Sequence, residues 1–260
     1  MKTVIAVAAH KACELPGNAP YLPVQAGAAL RPDLGLTRDD GGENISLRNG
    51  LYSELTVHYW LWKNMQADVY GLCHYRRYFT LQGRGRALSG ALTQSQAEQL
   101  LETAEVIVPR PRVYLIETNY SQYAHAHRAG DLVLARQVIA EGCPDFLPAF
   151  DRVMKRCWGR RFNMFIMRRE QFEAYSAWLF GILFELEKRL TAAGEPENSR
   201  VLGFVAERLL DVWLEKAQPR VRQVRVMHLE SQHWPRKIAT FLRRRFVPEE
   251  RLRQKNKQKG

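Results

Sequence analysis

Asp68-Val69-Tyr70-Gly71-Leu72-Cys73-His74-Tyr75-Arg76-Arg77-Tyr78-Phe79 decides how this chain is read. It begins as a buried-strand run and ends in His, Tyr and Arg. In an open α/β sheet, ligands meet the carboxyl ends of strands. A strand ending in cations therefore points to a cleft and to a phosphate-bearing ligand, because Arg offers phosphate planar, bidentate donors. Side chains alternate along a strand. That spacing puts His74 and Arg76 on one face and Tyr75 and Arg77 on the other. Gly71-Leu72-Cys73 just before them argues for a central strand rather than an exposed, charged edge.

Outward from this stretch, the chain alternates strand and helix signals. Residues 3–9 read as a buried strand that ends at His10-Lys11, either a nucleotide-facing strand end or a plain surface loop. Residues 12–50 are rich in Pro, Gly and Asp, and so long an irregular stretch suggests a functional loop. Leu51, Leu55, Tyr59 and Trp62 predict a helix over 51–64, with Glu54 and His58 flanking its apolar stripe. Ser95-Gln96-Ala97-Glu98 reads as a capping box for a helix ending near 103, and 104–109 as another buried strand. Residues 117–130 read as a loop or broken helix. Helices follow at 131–141 and 145–157, then a strand at 162–167. Phe172, Tyr175, Leu179, Ile182, Leu186 and Leu190 form one helical face. A helix from 204 to 214 and a strand over 221–228 close the pattern. The order predicts an α/β fold, one domain over 1–230 with a mostly parallel sheet. Residues 231–260 form a basic amphipathic tail.

The chain has 260 residues, 46% apolar and 25% charged, which suits a globular protein with a full core. Its net charge of +12 is uneven: residues 236–260 hold ten Lys and Arg against two Glu. The basic character is mostly a tail property and does not make the globular part a nucleic-acid binder. Trp234, Ile238, Phe241, Leu242 and Phe246 interleave with those cations, a pattern suited to an anionic membrane surface. RNA, or no specific partner, is the alternative. Cys13, Cys73, Cys143 and Cys157 lack CxxC spacing and read as free thiols of a reducing compartment. The apolar N-terminus is too short to span a membrane and reads as a strand rather than a signal peptide. The expected location is the cytoplasm, free or peripheral to the membrane.

Several clusters carry chemistry. In Asp39-Asp40-Gly41-Gly42-Glu43-Asn44-Ile45-Ser46, carboxylates suit ribose hydroxyls or a divalent cation, and Asn44 suits a base edge. The same stretch also reads as an acidic turn before the helix at 51. Glu207, placed in the first turn of its helix, is a candidate general base or part of a solvated face. His125, His127 and His228 make a weak metal signal, ranked below hydrogen bonding to a sugar hydroxyl.

Together these segments resemble a bacterial family catalogued as domain of unknown function 4422, associated with capsular, exopolysaccharide and lipopolysaccharide glycosyltransferases. The resemblance lies in Tyr21 to Leu30, Asp39 to Ser46, Tyr52 to Thr56, Tyr59 to Asn64, Tyr70 to Phe79, Asn163 to Met167, Trp178 to Phe180 and Gly203 to Leu209. It implies a GT-A-like glycosyltransferase that moves galactose or galactofuranose from a UDP-sugar to a lipid-linked oligosaccharide or lipopolysaccharide acceptor, and in-line attack by an acceptor hydroxyl that Glu207 deprotonates would give inversion. Many GT-A enzymes hold a metal with Asp-x-Asp, and here His74-Tyr75-Arg76 stands in that place. Cations of either kind can stabilise a leaving UDP. The reading favours Arg and His, with Mg or Mn on Asp39 and Asp40 as the alternative. The implied donor-binding residues are His10, Lys11, Asp39, Asp40, Asn44, His74, Tyr75, Arg76 and Arg77. The implied catalytic residues are Glu207 and Asp40, and Tyr120, Tyr123, His127 and Asn163 would hold the acceptor. The tail would sit on the inner face of the membrane. The rival readings are a non-catalytic nucleotide- or polysaccharide-binding regulator and an RNA-binding protein.

Overall fold

The computed structural model describes residues 1–16, 20–82, 87–194 and 196–229. The basic tail expected over 231–260 lies outside the described residues. In chain order the elements are β1 (Thr3–Ala9), β2 (Tyr21–Gln25), β3 (Thr37–Arg38), α1 (Asn49–Tyr52), α2 (Leu55–Asn64), β4 (Val69–His74), β5 (Arg77–Thr80), α3 (Gln94–Thr103), β6 (Val106–Pro109), β7 (Arg112–Val113), α4 (Asn119–Ala126), α5 (Ala129–Gly142), α6 (Leu147–Lys155), β8 (Trp158–Gly159), β9 (Phe165–Arg168), α7 (Arg169–Ala192), α8 (Val201–Ala217) and β10 (Val221–His228).

β1 is buried along its whole length because both faces of the sheet are covered. Val4, Ala6 and Ala8 join Tyr70 and Leu72 on the side that carries α2, α5, α6, α7 and α8. Ile5, Val7 and Ala9 join Cys73, Tyr78, Phe79 and α3 on the other. β1 lies parallel to β2 and β4, and β2 parallel to β3. β4 then pairs antiparallel with β9, and β9 antiparallel with β6. β6 runs parallel to β10, which pairs antiparallel with β5. The sheet is therefore mixed rather than mostly parallel. The correction has two causes: β9 slots antiparallel between β4 and β6, and the chain reverses after β4. Because β4 and β6 both oppose β9, the carboxyl ends of β1, β4 and β6 share one edge.

The reversal after β4 also corrects the alternation expected for His74 to Arg77. His74 pairs with Arg77 across a two-residue turn made by Tyr75 and Arg76. The helix expected over 51–64 is broken at Ser53, whose φ is 52°, into α1 and α2. The capping box belongs to Thr93 and Gln96, and not to Ser95. α8 starts at Val201, which moves Glu207 into its second turn. The polar stretch after 117 contains α4, capped by Thr118. Among the described residues no helix is long and apolar enough to cross a membrane.

Candidate active site

Cations collect where β1 and β4 end. Ala8 lies opposite His74, and the Tyr75 N–H donates to the Ala8 carbonyl at 3.2 Å. The residues after both strands thus emerge together. The His10 and Tyr75 rings meet edge to face at 5.0 Å. Lys11 Nζ lies 5.1 Å from the Tyr75 centroid and the Arg76 guanidinium 5.6 Å. Burial, and then Arg31, Arg76, Lys11 and Arg200, hold the His10 imidazole below its ordinary pKa. An imidazole whose charged form is disfavoured by four cations reports a local potential that favours an incoming anion.

Arg31 and Arg200 arrive from distant sequence. Arg31 donates to Asn49 Oδ1 at 3.3 Å, and Arg200 Nε donates to Ser53 Oγ at 2.9 Å. The break between α1 and α2 and the start of α8 are locked together. Arg200, at φ 60°, donates its N–H to the Gly50 carbonyl at 2.9 Å. A Cβ on Gly50 would lie 2.3 Å from the Glu197 carbonyl oxygen, so only glycine permits this approach.

Carboxylates line the neighbouring wall. Glu54 Oε1 accepts from Asn163 Nδ2 at 2.8 Å and lies 3.8 Å from His74 Nε2. The same Asn163 amide donates to the Gly203 carbonyl at 2.9 Å. Burial lowers the His74 pKa, with Glu54 opposing it. Glu207 Oε1 accepts from the Phe162 N–H at 3.2 Å, and Glu207 Oε2 accepts from Arg208 at 2.7 Å. Phe162 and Asn163 both have positive φ, 80° and 28°, a strained turn for residues with side chains. Arg77 lies over the Phe162 ring at 4.2 Å, and its buried Nε has no hydrogen-bond partner among the described residues. Burial and Arg76 lower the Arg77 pKa, while Glu54 and Glu207 act against them.

The structure thus brings His10, Lys11, His74, Tyr75, Arg76, Arg77, Asn163 and Glu207 to one edge of the sheet. The acidic turn is organised differently. Asp39 is fully buried and accepts from the Gly27 and Ala28 N–H groups at 2.9 Å and from Ser46 Oγ at 2.5 Å. Asp40 pairs with Arg38 at 2.5 Å, and Asn44 Nδ2 donates to the Asp40 and Gly42 carbonyls at 2.9 Å. These groups serve the loop's own hydrogen bonds. The Asp39 oxygens are already committed, so the pair does not fit a divalent ion. Among the described residues no three His, Cys, Asp or Glu side chains gather as metal ligands.

The acceptor candidates divide. Tyr123 is fully buried and donates to Asp131 at 2.9 Å, which makes it a core residue. Tyr120 is exposed. His127 stacks on Phe204 at 4.1 Å, and Phe204 in turn lies 5.4 Å from the Arg200 guanidinium, so His127 belongs to the site wall. His125 pairs with Glu117 at 2.6 Å, and His228 meets the Phe162 ring at 5.6 Å. Sequence reasoning missed Arg31, Arg200 and the role of Glu54. A single available signal, Glu54 beside the apolar stripe of its helix, concerned only the last.

Residues 4–218 match the family model described as "Domain of unknown function (DUF4422)". The chain belongs to the DUF4422 family. The matched stretch contains both the cationic edge, from His10 to Arg200, and the carboxylate wall at Glu54 and Glu207. No curated protein matches the chain. A solved structure titled as the apo form of WbbM, a bifunctional glycosyltransferase, matches with a TM-score of 0.80 and 27% identity. The match covers 89% of this DUF4422 chain and 46% of that one, so the chain spans about half of that structure's length.

Proposed function

We propose that this chain is a glycosyltransferase of the GT-A kind that moves a hexose, galactose or galactofuranose, from a UDP-sugar to a lipid-linked glycan in bacterial surface polysaccharide synthesis. One juxtaposition carries the reading. Lys11 and Arg76 lie over the Tyr75 ring beside His10 at the carboxyl ends of β1 and β4, Arg31 and Arg200 add their charge to the His10 environment, and the carboxylates of Glu54 and Glu207 are held at the adjoining wall. Cations suit a diphosphate, and a carboxylate next to them suits a hydroxyl nucleophile. The likeness to a structure titled as a bifunctional glycosyltransferase supports the reaction class.

In this proposal the donor diphosphate lies against Arg76, Lys11, Arg31 and Arg200. The acceptor hydroxyl oxygen attacks the anomeric carbon as the bond from that carbon to the phosphate oxygen breaks. The proton passes to Glu54, and UDP leaves with its new charge held by the cations. In-line displacement inverts the anomeric centre. Glu54 is given the proton because its Oε1 is oriented by Asn163 while Oε2 makes no hydrogen bond among the described residues. Glu207 has both oxygens engaged, by Phe162 and Arg208, and is given the task of holding the Phe162 turn. His127 and Phe204 offer the acceptor sugar an apolar wall. The basic tail would hold the chain to the inner face of the membrane.

UDP release from UDP-galactose or UDP-galactofuranose, with a lipid-linked acceptor and with or without EDTA, tests this. The proposal expects acceptor-dependent release. No release under any metal condition favours the non-catalytic binding reading.

A further inference from the structure

β6 ends on the same sheet edge as β1 and β4, and the chain beyond it builds a second feature there. β7 pairs antiparallel with β8, Arg112 opposite Gly159 and Val113 opposite Trp158. The Tyr114 N–H donates to the Cys157 carbonyl at 2.8 Å, and the Tyr114 side chain is buried. The segment is therefore a braced arm. At its tip the Ile116 N–H donates to the Tyr114 carbonyl at 2.7 Å across Leu115, whose φ is 61°. This is a γ-turn in its strained, positive-φ form. The turn drives apolar side chains outward: Val113 is 63% exposed, Leu115 85% and Ile116 65%.

Cations flank this tip. Arg110 and Arg112 lead into the arm, and both are exposed. Arg110 also lines an open cavity of about 580 Å³ with Arg222 and Arg225 from β10. No acidic side chain is among the described residues lining that cavity. A cluster of exposed aliphatic side chains on a soluble surface marks an interaction site. Three exposed aliphatics within four residues suit a fluid acyl layer. The adjoining cavity of arginines suits lipid phosphates.

We infer that the Val113–Ile116 arm is a membrane-docking surface: Val113, Leu115 and Ile116 enter the acyl boundary of an anionic bilayer, and Arg110, Arg222 and Arg225 take lipid headgroup phosphates. This surface is built from residues outside the basic tail, and the inference stands whether or not the chain transfers sugars. It would present the edge that carries the candidate active site to the membrane.

The test is co-sedimentation of the full chain with phosphatidylcholine vesicles, with and without phosphatidylglycerol. Binding is expected only to the anionic vesicles. Leu115→Asp with Ile116→Asp should weaken it at least ~10-fold, from the lost apolar burial. Arg110→Ala, Arg222→Ala and Arg225→Ala should each weaken it roughly 5-fold at low salt. Leu115→Trp reads insertion directly even if the tail also binds: its difference emission spectrum should shift to the blue on adding anionic vesicles. Failure of the full chain to bind, or an unmoved Leu115→Trp spectrum, overturns the inference. So does a dimer in solution that Leu115→Asp splits without any vesicle binding, which would assign the arm to a second copy.

Discussion

Asn163 Nδ2 donates to Glu54 Oε1 at 2.8 Å, joining residues 109 positions apart. Asn163 also donates to the Gly203 carbonyl, so one amide ties the start of α2 to the start of α8 and aims Glu54 at the site. The two carboxylates of the wall are consequently unequal. Glu207 is engaged on both oxygens and Glu54 on one.

Glu54→Gln should leave UDP-sugar affinity within about twofold and cut turnover by at least ~10²-fold, the usual worth of a general base. Glu207→Gln should cost less turnover and should lower the melting temperature, because it loosens the Phe162 turn. Steady-state kinetics with calorimetric binding separates the two. A larger turnover loss for Glu207→Gln reverses the assignment.

Arg76→Ala and Arg200→Ala should each weaken UDP binding roughly 10-fold, as expected for losing a charge-assisted contact to phosphate. The loss should shrink at high salt, where exposed charges are screened. Isothermal titration at two ionic strengths measures both. Affinity that does not change in either variant removes the diphosphate from this edge.

The His10 pKa lies below its ordinary value because of burial and the four neighbouring cations. A diphosphate among those cations adds negative charge and raises that pKa, so binding takes up a proton. UDP-hexose affinity should therefore rise as pH falls below neutrality and level off below the free-state pKa. A UDP-hexose diphosphate is a diester and keeps its charge throughout this window. His10→Asn should flatten the profile. Affinity that falls on acidification in the unmodified chain contradicts the placement of His10.

Asp39→Ala should destabilise the fold by roughly 3 kcal/mol or more, because it leaves the Gly27 N–H, the Ala28 N–H and the Ser46 hydroxyl without their buried acceptor. Thermal melting reads this. A stability loss that appears only when Mg or Mn is supplied would restore Asp39 as a metal ligand.

The central strand and its cationic end were legible because an apolar run that stops in His, Tyr and Arg carries both burial and charge in one window. The face of α7 was legible for the same local reason: its stripe from Phe172 to Leu190 persists over about five turns. The hairpin at Tyr75-Arg76 was not, since neither residue is a usual turn former and the strand pattern simply continues into Tyr78 and Phe79. The antiparallel insertion of β9 has no local signature, because a four-residue strand with three apolar residues states no direction. Ser53, Phe162, Asn163 and Arg200 adopt positive φ without being glycine, and only tertiary contacts hold them there. Arg200 and Glu54 enter the site through those same bends, and Arg31 is brought in by its hydrogen bond to Asn49. The acidic turn had two readings, and the hydrogen bonds of Asp39 and Asn44 show it working as a turn. Glu54 and His58 looked alike beside one stripe. His58 instead packs among Phe165, Phe172, Tyr175 and Phe180, and burial pushes its pKa down to about 3.

The most direct measurement is acceptor-dependent UDP release by the full chain, from UDP-galactose and UDP-galactofuranose, beside the Glu54→Gln and Arg76→Ala variants. Expected are release by the unmodified chain, a loss of at least ~10²-fold in kcat for Glu54→Gln, and for Arg76→Ala a loss expressed mainly in KM. UDP binding without release from either donor, at every metal condition and with acceptor present, would contradict the proposed transfer.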